Sequence, residues 1–470
     1  MKTKKTTVLI PVESQVREFD AKLLLACIAA KKGFSAVIGS RQELKYRIAS
    51  FPRSIYIAKD LMSGSKRMFK IMHKLGCAIV AWDEEGLVHT PPEAYFARRF
   101  SVVSISYVSH LFAWGQDNVD LWRLYPELPE GMPIHITGNP RGDLLRSEIR
   151  QFYQMEVDKL HEKYNDFILI NTNFSAVNAF RTRGNLFQPI KKTEEGPKMG
   201  RRAQGMSREY AEGLRNHKQA IFESFKRLIP ALDRSFSDHI IIVRPHPGEN
   251  QAIYKSIAAQ CGRVRVTNEG NVVPWLMAAK ALIHNGCTTA AEAYMLGLPA
   301  ISYRPAVNDH YDFAFHHLPN LLSHQCFDLD ELQTALGQVL SGKRGLAGGH
   351  ESEALIDHYL AARKGPLACD RIVDVLEKTM KGRAELVEFP FFDQLKGHYM
   401  VKKRNLRKRF ISYFPGSHIN PRFNRHRYPG VSLESVRARV QRFQQLLGVS
   451  DHLKVERTHN HIFRISARQT

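Results

Sequence analysis

The sequence predicts an α/β protein made of two Rossmann-like domains followed by a basic C-terminal extension. Its 470 residues exceed what one ordinary hydrophobic core holds, so more than one domain is expected. Short apolar runs alternate with helix-like segments in two successive series, which is typical of doubly wound parallel sheets. The expected domains are 1–145 and 146–380, with 381–470 as the extension.

The first series contains strand-like runs and amphipathic helices in alternation. The helical segments FDAKLLLACIAAKKG and GSKRMFKIMHKLG each end at a glycine, which is a common helix stop. The predicted strands are TVLIPVE, SAVIGS, SIYIAKD, CAIVAW, FAWG and IHITG.

The second series begins with the charged helix SEIRQFYQMEVDKLHEKY and the strand DFILINTNF. Residues 176–204 show no clean periodicity and are expected to form a long mobile insertion, followed by a helix over about 207–228. The later predicted elements are the strands HIIIVRP, VRVT, ALIHN and PAISYRP and the helices VPWLMAAK and 288–296.

Composition excludes several classes of protein. A hydrophobic fraction of 43% and an aromatic fraction of 10% are those of a globular chain and not of a disordered one. The six cysteines are scattered without a CxxC pair, which indicates reduced thiols. The apolar run at 8–12 is too short for a signal peptide, and no segment is long and apolar enough to span a bilayer. We therefore expect a cytoplasmic protein, held peripherally at the inner membrane.

The extension carries much of the net charge of +22. Residues 381–470 contain 19 Lys and Arg against 6 Asp and Glu, and residues 401–427 contain nine basic residues and no acidic one. Aromatic residues are interleaved with this charge. We expect 401–427 to bind an anionic membrane surface. A solvated helix face and nucleic-acid binding are the alternatives, and nucleic acid is disfavoured because no known binding module is present.

Three predicted strand ends carry candidate functional residues, and ligands bind at the carboxyl ends of strands in such sheets. The first is Asp83-Glu84-Glu85-Gly86, directly after CAIVAW. Adjacent carboxylates repel, so at least one pKa should rise toward that of a general base. The alternative is that one acid caps a helix and the others are solvated.

The second strand end is IIIVRPHPGEN. Pro245 and Pro247 fix the backbone on both sides of His246, so its ring is presented from a rigid loop beside Arg244. We expect His246 to contact a phosphate or a leaving group, the alternative being a histidine that only packs.

The third is HNGCTTAAEAYMLGLPAI. Gly286 makes a tight turn, and Thr288 and Thr289 open a helix, which favours an anion site. Glu292 lies one turn later and could reach ribose hydroxyls. A capping box formed by Thr289 and Glu292 is the alternative.

Together these segments resemble glycosyltransferases of the GT-B fold, and more closely bacterial sialyltransferases and related enzymes that use CMP-activated keto-acid sugars. The resemblance rests on Glu84-Glu85-Gly86, His246-Pro247 and Thr288-Thr289, which stand in that family's order. The segments WDEEGL and GNPR also resemble segments of a group of bacterial surface-carbohydrate biosynthesis proteins. HPxE and GxTTxxE segments occur in CDP-glycerol-type transferases as well.

The resemblance implies two domains facing a cleft and transfer of a nonulosonate- or Kdo-type sugar from a CMP-sugar donor. The acceptor would be a glycan or a lipid-linked glycan of capsule or lipopolysaccharide type. CMP-sugar is then a co-substrate, and neither a cofactor nor a metal is required. Asp328-Leu329-Asp330 matches DxD formally but is better explained as the cap of a helix.

The resemblance also assigns roles to the candidate residues. Glu85 would be the base with Glu84 as support, while Asp83 is an acid outside the family's pattern. His246 would hold or protonate the departing phosphate. The remaining donor-binding candidates are Arg244, Pro247, Gly286, Thr288, Thr289 and Glu292, with Glu13, Arg17 and Arg304 as secondary candidates.

Three other functions remain open. A CDP-glycerol-type polyol-phosphate transferase would use the same His and Thr segments. A sugar-nucleotide epimerase would act on its nucleotide sugar without an acceptor. A nucleic-acid-binding protein would show salt-sensitive binding that does not depend on His246.

Overall fold

A computed structural model describes residues 6–188, 197–384, 390–414, 425, 427–448 and 453–468. The chain forms two compact units. The first comprises the described residues of Met1–Leu87, Tyr95–Phe152 and Asp357–Thr470, and the second those of Val88–Ala94 and Tyr153–Ile356.

The strands and helices are numbered in chain order. The strands are β1 (Thr7–Val12), β2 (Ser35–Ser40), β3 (Ser54–Ala58), β4 (Ala78–Ala81), β5 (His110–Ala113), β6 (Ile134–Ile136), β7 (Phe167–Thr172), β8 (Ile240–Pro245), β9 (Val264–Val266), β10 (Ala281–His284), β11 (Ala300–Tyr303), β12 (His324–Cys326), β13 (Leu453–His459) and β14 (Ile462–Ala467). The helices are α1 (Gln15–Lys31), α2 (Arg41–Tyr46), α3 (Lys66–Lys74), α4 (Pro92–Arg99), α5 (Val102–Ile105), α6 (Gln116–Arg123), α7 (Pro140–Asp143), α8 (Ser147–Arg150), α9 (Gln154–Tyr164), α10 (Arg208–Ser235), α11 (Ala252–Ala258), α12 (Val272–Ala278), α13 (Thr289–Leu296), α14 (Asp309–Leu321), α15 (Leu329–Leu340), α16 (His350–Tyr359), α17 (Ala368–Ala384), α18 (Phe391–Ser412) and α19 (Leu433–Leu446).

The described strands of the first unit form one sheet in the order β13-β14-β2-β1-β3-β4-β5-β6. Strands β1 to β6 are parallel, and every residue of β1 is buried because the strand lies inside the sheet. The chain goes from β1 to β2 on one side and then to β3 on the other. The carboxyl ends of β1 and β3 therefore form the topological switch point, where such sheets bind ligands.

The C-terminal part of the chain belongs to this first unit. Strand β14 pairs antiparallel with β2, and Ile462, Phe463 and Ile465 are fully buried there. Helix α17 begins where the Asp143 carboxylate accepts hydrogen bonds from two backbone N–H groups, those of Ala368 and Cys369, at 2.8 and 2.9 Å. This grouping differs from the predicted boundaries at 145 and 380, because the last strand completes the first sheet.

The second unit contains a fully parallel sheet in the order β12-β11-β10-β7-β8-β9. Its central strands β7, β8 and β10 are buried and mainly apolar, as expected for a sheet that is covered on both faces. Helices α10 and α15 pack apolar residues such as Phe225 and Leu336 against one face. The switch point of this sheet lies between β7 and β10.

The structure corrects two details of the second series. The described residues within 176–204 are packed and not a mobile insertion: Leu186, Phe187 and Ala203 are buried against Ala211, and Phe187 forms a bridge with Met199. The helix predicted over 207–228 extends to Ser235 as α10.

Other predictions are confirmed. The α/β class with two Rossmann-like domains is seen in the two sheets, of which the first is parallel over β1 to β6 and the second is parallel throughout. Asp328 caps α15 by accepting the N–H of Glu331 at 2.8 Å. The six cysteines are free thiols. Within the described part of the chain, no helix is both long and apolar enough to cross a membrane.

Gly39→Ala should loosen the C-terminal hairpin from the first sheet. A Cβ at Gly39 would lie 2.2 Å from the carbonyl oxygen of His461 and 2.8 Å from Cα of Ile462, and both are backbone atoms that cannot turn aside. We expect a loss of about 1–3 kcal/mol and faster amide hydrogen exchange over 453–468. Gly64→Ala is the control, because nothing lies within 4 Å of its Cβ position. Equal protection in both variants would contradict the close approach.

Candidate functional site

The switch point of the first sheet is occupied by paired charges. Glu13 follows β1 and Lys59 follows β3, and the Lys59 ammonium lies 2.6 Å from the Glu13 carboxylate. Arg41, after β2, lies 2.7 Å from Glu13 and 3.0 Å from Asp60. Burial opposes ionisation of Glu13, but Lys59 and Arg41 outweigh it and hold the pKa of that carboxyl well below its ordinary value. Arg427 also contacts Glu13.

Glu84 is a buried member of an ion cluster beneath this edge. The Lys22 ammonium lies 2.9 Å from Glu84 and 2.6 Å from Glu18, and it donates to the carbonyl oxygen of Pro11 at 2.9 Å. The indole N–H of Trp82 also donates to Glu84, at 2.9 Å. Only 2% of Glu84 is exposed, so this carboxylate is placed to support the fold of the edge and not to meet a ligand.

Asp83 is likewise buried and holds the turn after β4. It accepts from the Tyr95 hydroxyl at 2.8 Å, from Arg99 Nε at 2.9 Å and from the backbone N–H of Glu85 at 3.0 Å. Gly86 closes this turn against Trp114, whose ring would be 2.9 Å from a Cβ at that position. Asp83 therefore has the role of a structural anchor.

Glu85 is the accessible acid of the three, with 48% of its side chain exposed. Arg17 donates to both of its carboxylate oxygens, at 2.8 and 2.7 Å. Partial desolvation by the surrounding protein opposes the charge on Glu85, but Arg17 outweighs it and lowers the pKa of the carboxyl. The predicted rise from repulsion between neighbouring acids is therefore wrong for Glu85, because each acid of the segment has a different cationic partner.

In the second unit, the His246 loop is built around the buried carboxylate of Glu249. This carboxylate accepts from the backbone N–H groups of Phe174 and His246, at 3.0 and 3.1 Å, and from two hydroxyls. The hydroxyls are those of Thr172, at 3.0 Å, and Tyr254, at 2.6 Å. Burial raises the pKa of Glu249, and these hydrogen bonds oppose the rise.

This arrangement fixes His246 at the carboxyl end of β8. Its backbone N–H also faces the carbonyl oxygen of Thr172, at 3.2 Å. Its ring Nδ1 accepts from the N–H of Gly248 at 3.0 Å, so a neutral ring carries its proton on Nε2. His246 can thus act as a donor through Nε2.

Arg244 is engaged within the protein. Its guanidinium donates to the carbonyl oxygens of Glu269 and Gly270, at 2.8 and 3.2 Å, and lies 4.8 Å from the centroid of the Trp275 ring. Burial lowers the pKa of Arg244 to about 9. These contacts orient Arg244 toward the 269–270 loop, whereas the sequence suggested a contact with the donor.

The Gly286–Thr289 segment lies at the switch point of the second sheet. The backbone N–H of Asn173, after β7, donates to Oδ1 of Asn285, after β10, at 2.8 Å. Asn171 Nδ2 donates to the Thr289 hydroxyl at 3.1 Å. Gly286 has φ of 78°, a conformation that side chains disfavour. The segment therefore joins the two central strands at the edge where ligands bind.

The start of α13 differs in part from the predicted anion site. The N–H groups of Gly286 and Cys287 donate to His284 Nδ1, at 3.0 and 3.3 Å. These two hydrogen bonds stabilise the turn itself. Burial lowers the pKa of His284 to about 3, which keeps its ring neutral. Thr288 is the N-cap residue but makes no side-chain cap bond among the described residues. Glu292 is buried in the first helical turn.

The structure adds His217, Lys218 and Asp312, which sequence patterns did not single out, and groups them with the secondary candidate Arg304. Lys218 and His217 of α10 lie 3.4 and 2.9 Å from Asp312 of α14, and Arg304 after β11 lies 3.4 Å from it. With Asn285 they surround the carboxyl ends of β10 and β11. Lys218, Arg304, Asp312 and Asn285 line a small cavity. No short motif joins them, since the three segments are far apart in the chain.

Metal ligation has no candidate in the described residues, where three or more His, Cys, Asp or Glu side chains do not converge in a suitable group.

Comparison with known proteins gives similarity of fold. No protein-family model matches the chain, and no curated protein matches it. The wall teichoic acid polymerase TagF is similar in structure, with 14% identity, a TM-score of 0.48, and coverage of 81% of this chain and 90% of TagF. UDP-GlcNAc 2-epimerase from Methanocaldococcus jannaschii has 12% identity and a TM-score of 0.45, over 80% of this chain and 100% of its own.

A third similar structure is UDP-GlcNAc 2-epimerase from Neisseria meningitidis bound to UDP-GlcNAc. It has 12% identity and a TM-score of 0.44, over 81% of this chain and 100% of its own. With TM-scores below 0.5, these similarities assign neither a reaction nor a substrate.

Glu249→Ala should destabilise the second unit and release the His246 loop. The substitution leaves the N–H of Phe174 and the hydroxyl of Thr172 without an acceptor and removes one of two acceptors from the N–H of His246 and the hydroxyl of Tyr254, which should cost at least about 3 kcal/mol. Hydrogen exchange over β7, β8 and the loop would measure the loss. Glu223→Ala is the control, because Glu223 is a surface residue paired with Lys226. Unchanged exchange in Glu249→Ala would contradict this role.

Proposed function

We propose that this protein is a glycosyltransferase of surface-carbohydrate biosynthesis that uses a CMP-activated nonulosonate- or Kdo-type sugar. The acceptor is a hydroxyl of a glycan or a lipid-linked glycan. One observation carries the proposal: the His246 and Gly286–Thr289 segments lie at the carboxyl edge of one parallel sheet, the latter at its switch point. Ligands of doubly wound sheets bind at such points.

The polar groups at this edge suit a CMP-sugar donor. His246 can donate through Nε2 to a phosphate oxygen, and the Thr288 and Thr289 hydroxyls stand at the start of α13, where the helix dipole favours an anion. Asn171 Oδ1 is buried and has no hydrogen-bond partner among the described residues, so it can accept from a sugar hydroxyl. Glu292 can accept hydrogen bonds from the ribose hydroxyls. Arg244 and Pro247 then act by shaping the loop that carries His246.

Glu85 is the base in this proposal. The acceptor oxygen forms a bond to the anomeric carbon of the donor sugar while the bond from that carbon to the phosphate oxygen of CMP breaks. The acceptor proton passes to the Glu85 carboxylate, and CMP leaves as the phosphate anion, which His246 stabilises by donating a hydrogen bond through Nε2. Arg17 keeps Glu85 ionised before the transfer.

The buried acids have supporting roles. Glu84 holds Lys22 beneath the edge, and Asp83 fixes the turn from which Glu85 projects. We therefore assign the proton transfer to Glu85 alone and treat Asp83 and Glu84 as positioning residues. Their removal should impair folding as well as activity, because Glu84 is one of the two carboxylates around the buried Lys22 ammonium and Asp83 holds Arg99 and the turn after β4.

Nucleotide binding and transfer test this function directly. CMP should bind more tightly than UDP in isothermal titration, and transfer from a CMP-sugar should be abolished in both Glu85→Gln and His246→Ala with the circular dichroism spectrum unchanged. Glu148→Gln, an exposed acid of the first unit, is the control and should keep full activity. Full activity in either site variant would reject the role of that residue. Preference for CDP would instead indicate a polyol-phosphate transferase, and preference for UDP an epimerase.

The pH profile of Arg17→Ala tests the pairing of Glu85. Arg17 lowers the pKa of Glu85, so the charged base persists to lower pH in the wild type. Without the guanidinium the pKa returns toward its ordinary value, and the acid limb of kcat/KM should move to higher pH. Arg17→Lys keeps the charge and should shift the limb less. An acid limb that is identical in all three proteins would show that another group is the base.

A further inference from the structure

Helix α18 has two faces, and one of them packs on the first unit. Val401 is buried in the core of that unit, and a Cβ at Gly397 would lie 2.9 Å from Leu75, so the helix sits close to α3. The side chains of Arg404 and Asn405 donate to the backbone carbonyl oxygens of Lys45 and Tyr46, at 3.1 and 2.8 Å. These contacts fix the rotation of the helix about its axis.

The opposite face carries large apolar side chains that are exposed. Each has more than half of its surface accessible, and Phe392 reaches 80%. Most follow one another in steps of three, four or seven residues, which places them along one side of a helix. We call this set the α18 stripe: Phe391, Phe392, Leu395, Tyr399, Leu406, Phe410, Tyr413 and Phe414. The stripe begins at the first residue of α18 and extends just past its end.

Exposed basic residues flank the stripe. The acidic residue of α18, Asp393, is paired with Lys74 at 2.7 Å, so it does not offset this charge. The flanking cations are Lys396, Lys402, Lys403, Arg407 and Arg409. Aromatic and leucine side chains bordered by Lys and Arg are the composition of helices that lie in the plane of a membrane interface.

We propose that α18 lies along an anionic lipid bilayer, with the stripe inserted at the boundary between headgroups and acyl chains. The flanking cations then meet the lipid phosphates, while the Val401 face keeps the first unit attached to the helix. A helix of this length runs about 33 Å along the surface. This narrows the predicted contact over 401–427 to a defined helix face; residues 415–424 and 426 of that range lie outside the described residues.

The charge pattern favours lipid over other occupants. A duplex nucleic acid is held by cations along its phosphates, and its stacked bases gain little from eight exposed apolar side chains along one helix face. A second copy of this chain would bring the same five cations against each other, and like charges at an interface are unfavourable. An anionic bilayer satisfies the cations and the apolar side chains together.

Vesicle sedimentation with the full chain tests the proposal. The wild type should sediment with vesicles of phosphatidylcholine and phosphatidylglycerol. Leu406→Ser combined with Phe410→Ser should reduce the bound fraction at least about tenfold, since two large apolar side chains are lost from the interface. Leu124→Ser combined with Met155→Ser is the matched control, because it removes two exposed apolar side chains that lie outside α18. This control should bind as the wild type does.

A charge variant separates the contribution of the cations to vesicle binding from that of the apolar side chains. Lys402→Gln combined with Lys403→Gln should weaken binding to the anionic vesicles and leave the weak binding to pure phosphatidylcholine unchanged. Circular dichroism and gel filtration check the fold and the oligomeric state of every variant.

Three results would overturn the proposal. Equal loss in the stripe and control pairs would show that binding is not specific to α18. If the wild type does not sediment with vesicles but binds duplex nucleic acid, the partner of the stripe is a nucleic acid. A dimer that the stripe pair dissociates would show that a second copy covers the stripe. None of these results depends on the proposed transferase activity, because no sugar nucleotide is present in the assay.

Discussion

The carboxyl edge of the first sheet depends on the buried ammonium of Lys22. A buried charge is costly unless it is paired, and here two carboxylates and a backbone carbonyl surround it. Glu18 in turn accepts the backbone N–H groups of Glu13 and Ser14, at 2.9 and 3.1 Å, which sets the path of the chain from β1 into α1. The same ammonium thus fixes both Glu84 and the start of α1, and α1 carries the Arg17 that pairs with Glu85. The position of the accessible acid follows from the pairing of the buried ones.

In the second sheet, neutral hydrogen-bond donors and not a cation surround the buried carboxylate of Glu249. Four N–H and O–H groups converge on Glu249, and they come from β7, from the segment after it, from the His246 loop and from α11. The carboxylate therefore joins three separate segments at one edge of the sheet. A network of this kind holds a loop rigidly only when all its members are satisfied. His246 needs such rigidity if it is to donate to a ligand.

The sequence was informative where a local pattern determines structure. Apolar runs predicted strands β1 to β11, and the acidic, His-Pro and Thr-Thr segments were correctly expected at strand ends. It could not show which acid is accessible, because Asp83, Glu84 and Glu85 differ only in partners that are distant in the chain, namely Arg99, Lys22 and Arg17. The grouping of Arg304 with Lys218 and Asp312 was missed for the same reason. Strand β14 was missed because its partner, β2, lies more than 400 residues earlier.

The basic C-terminal region shows why net charge is a poor guide to domain structure. The same region supplies Phe463 to the core of the first sheet, Val401 to a helix contact and an exposed apolar stripe on α18. A net charge summed over the segment does not distinguish these three environments, because burial differs from one side chain to the next. On α18 the distinction is made within one helical turn: Arg404 is turned inward to a backbone carbonyl, whereas Lys403 and Leu406 face outward. The apolar side chains on the outward face, and not the charge alone, are what distinguish a bilayer from other polyanions as its partner.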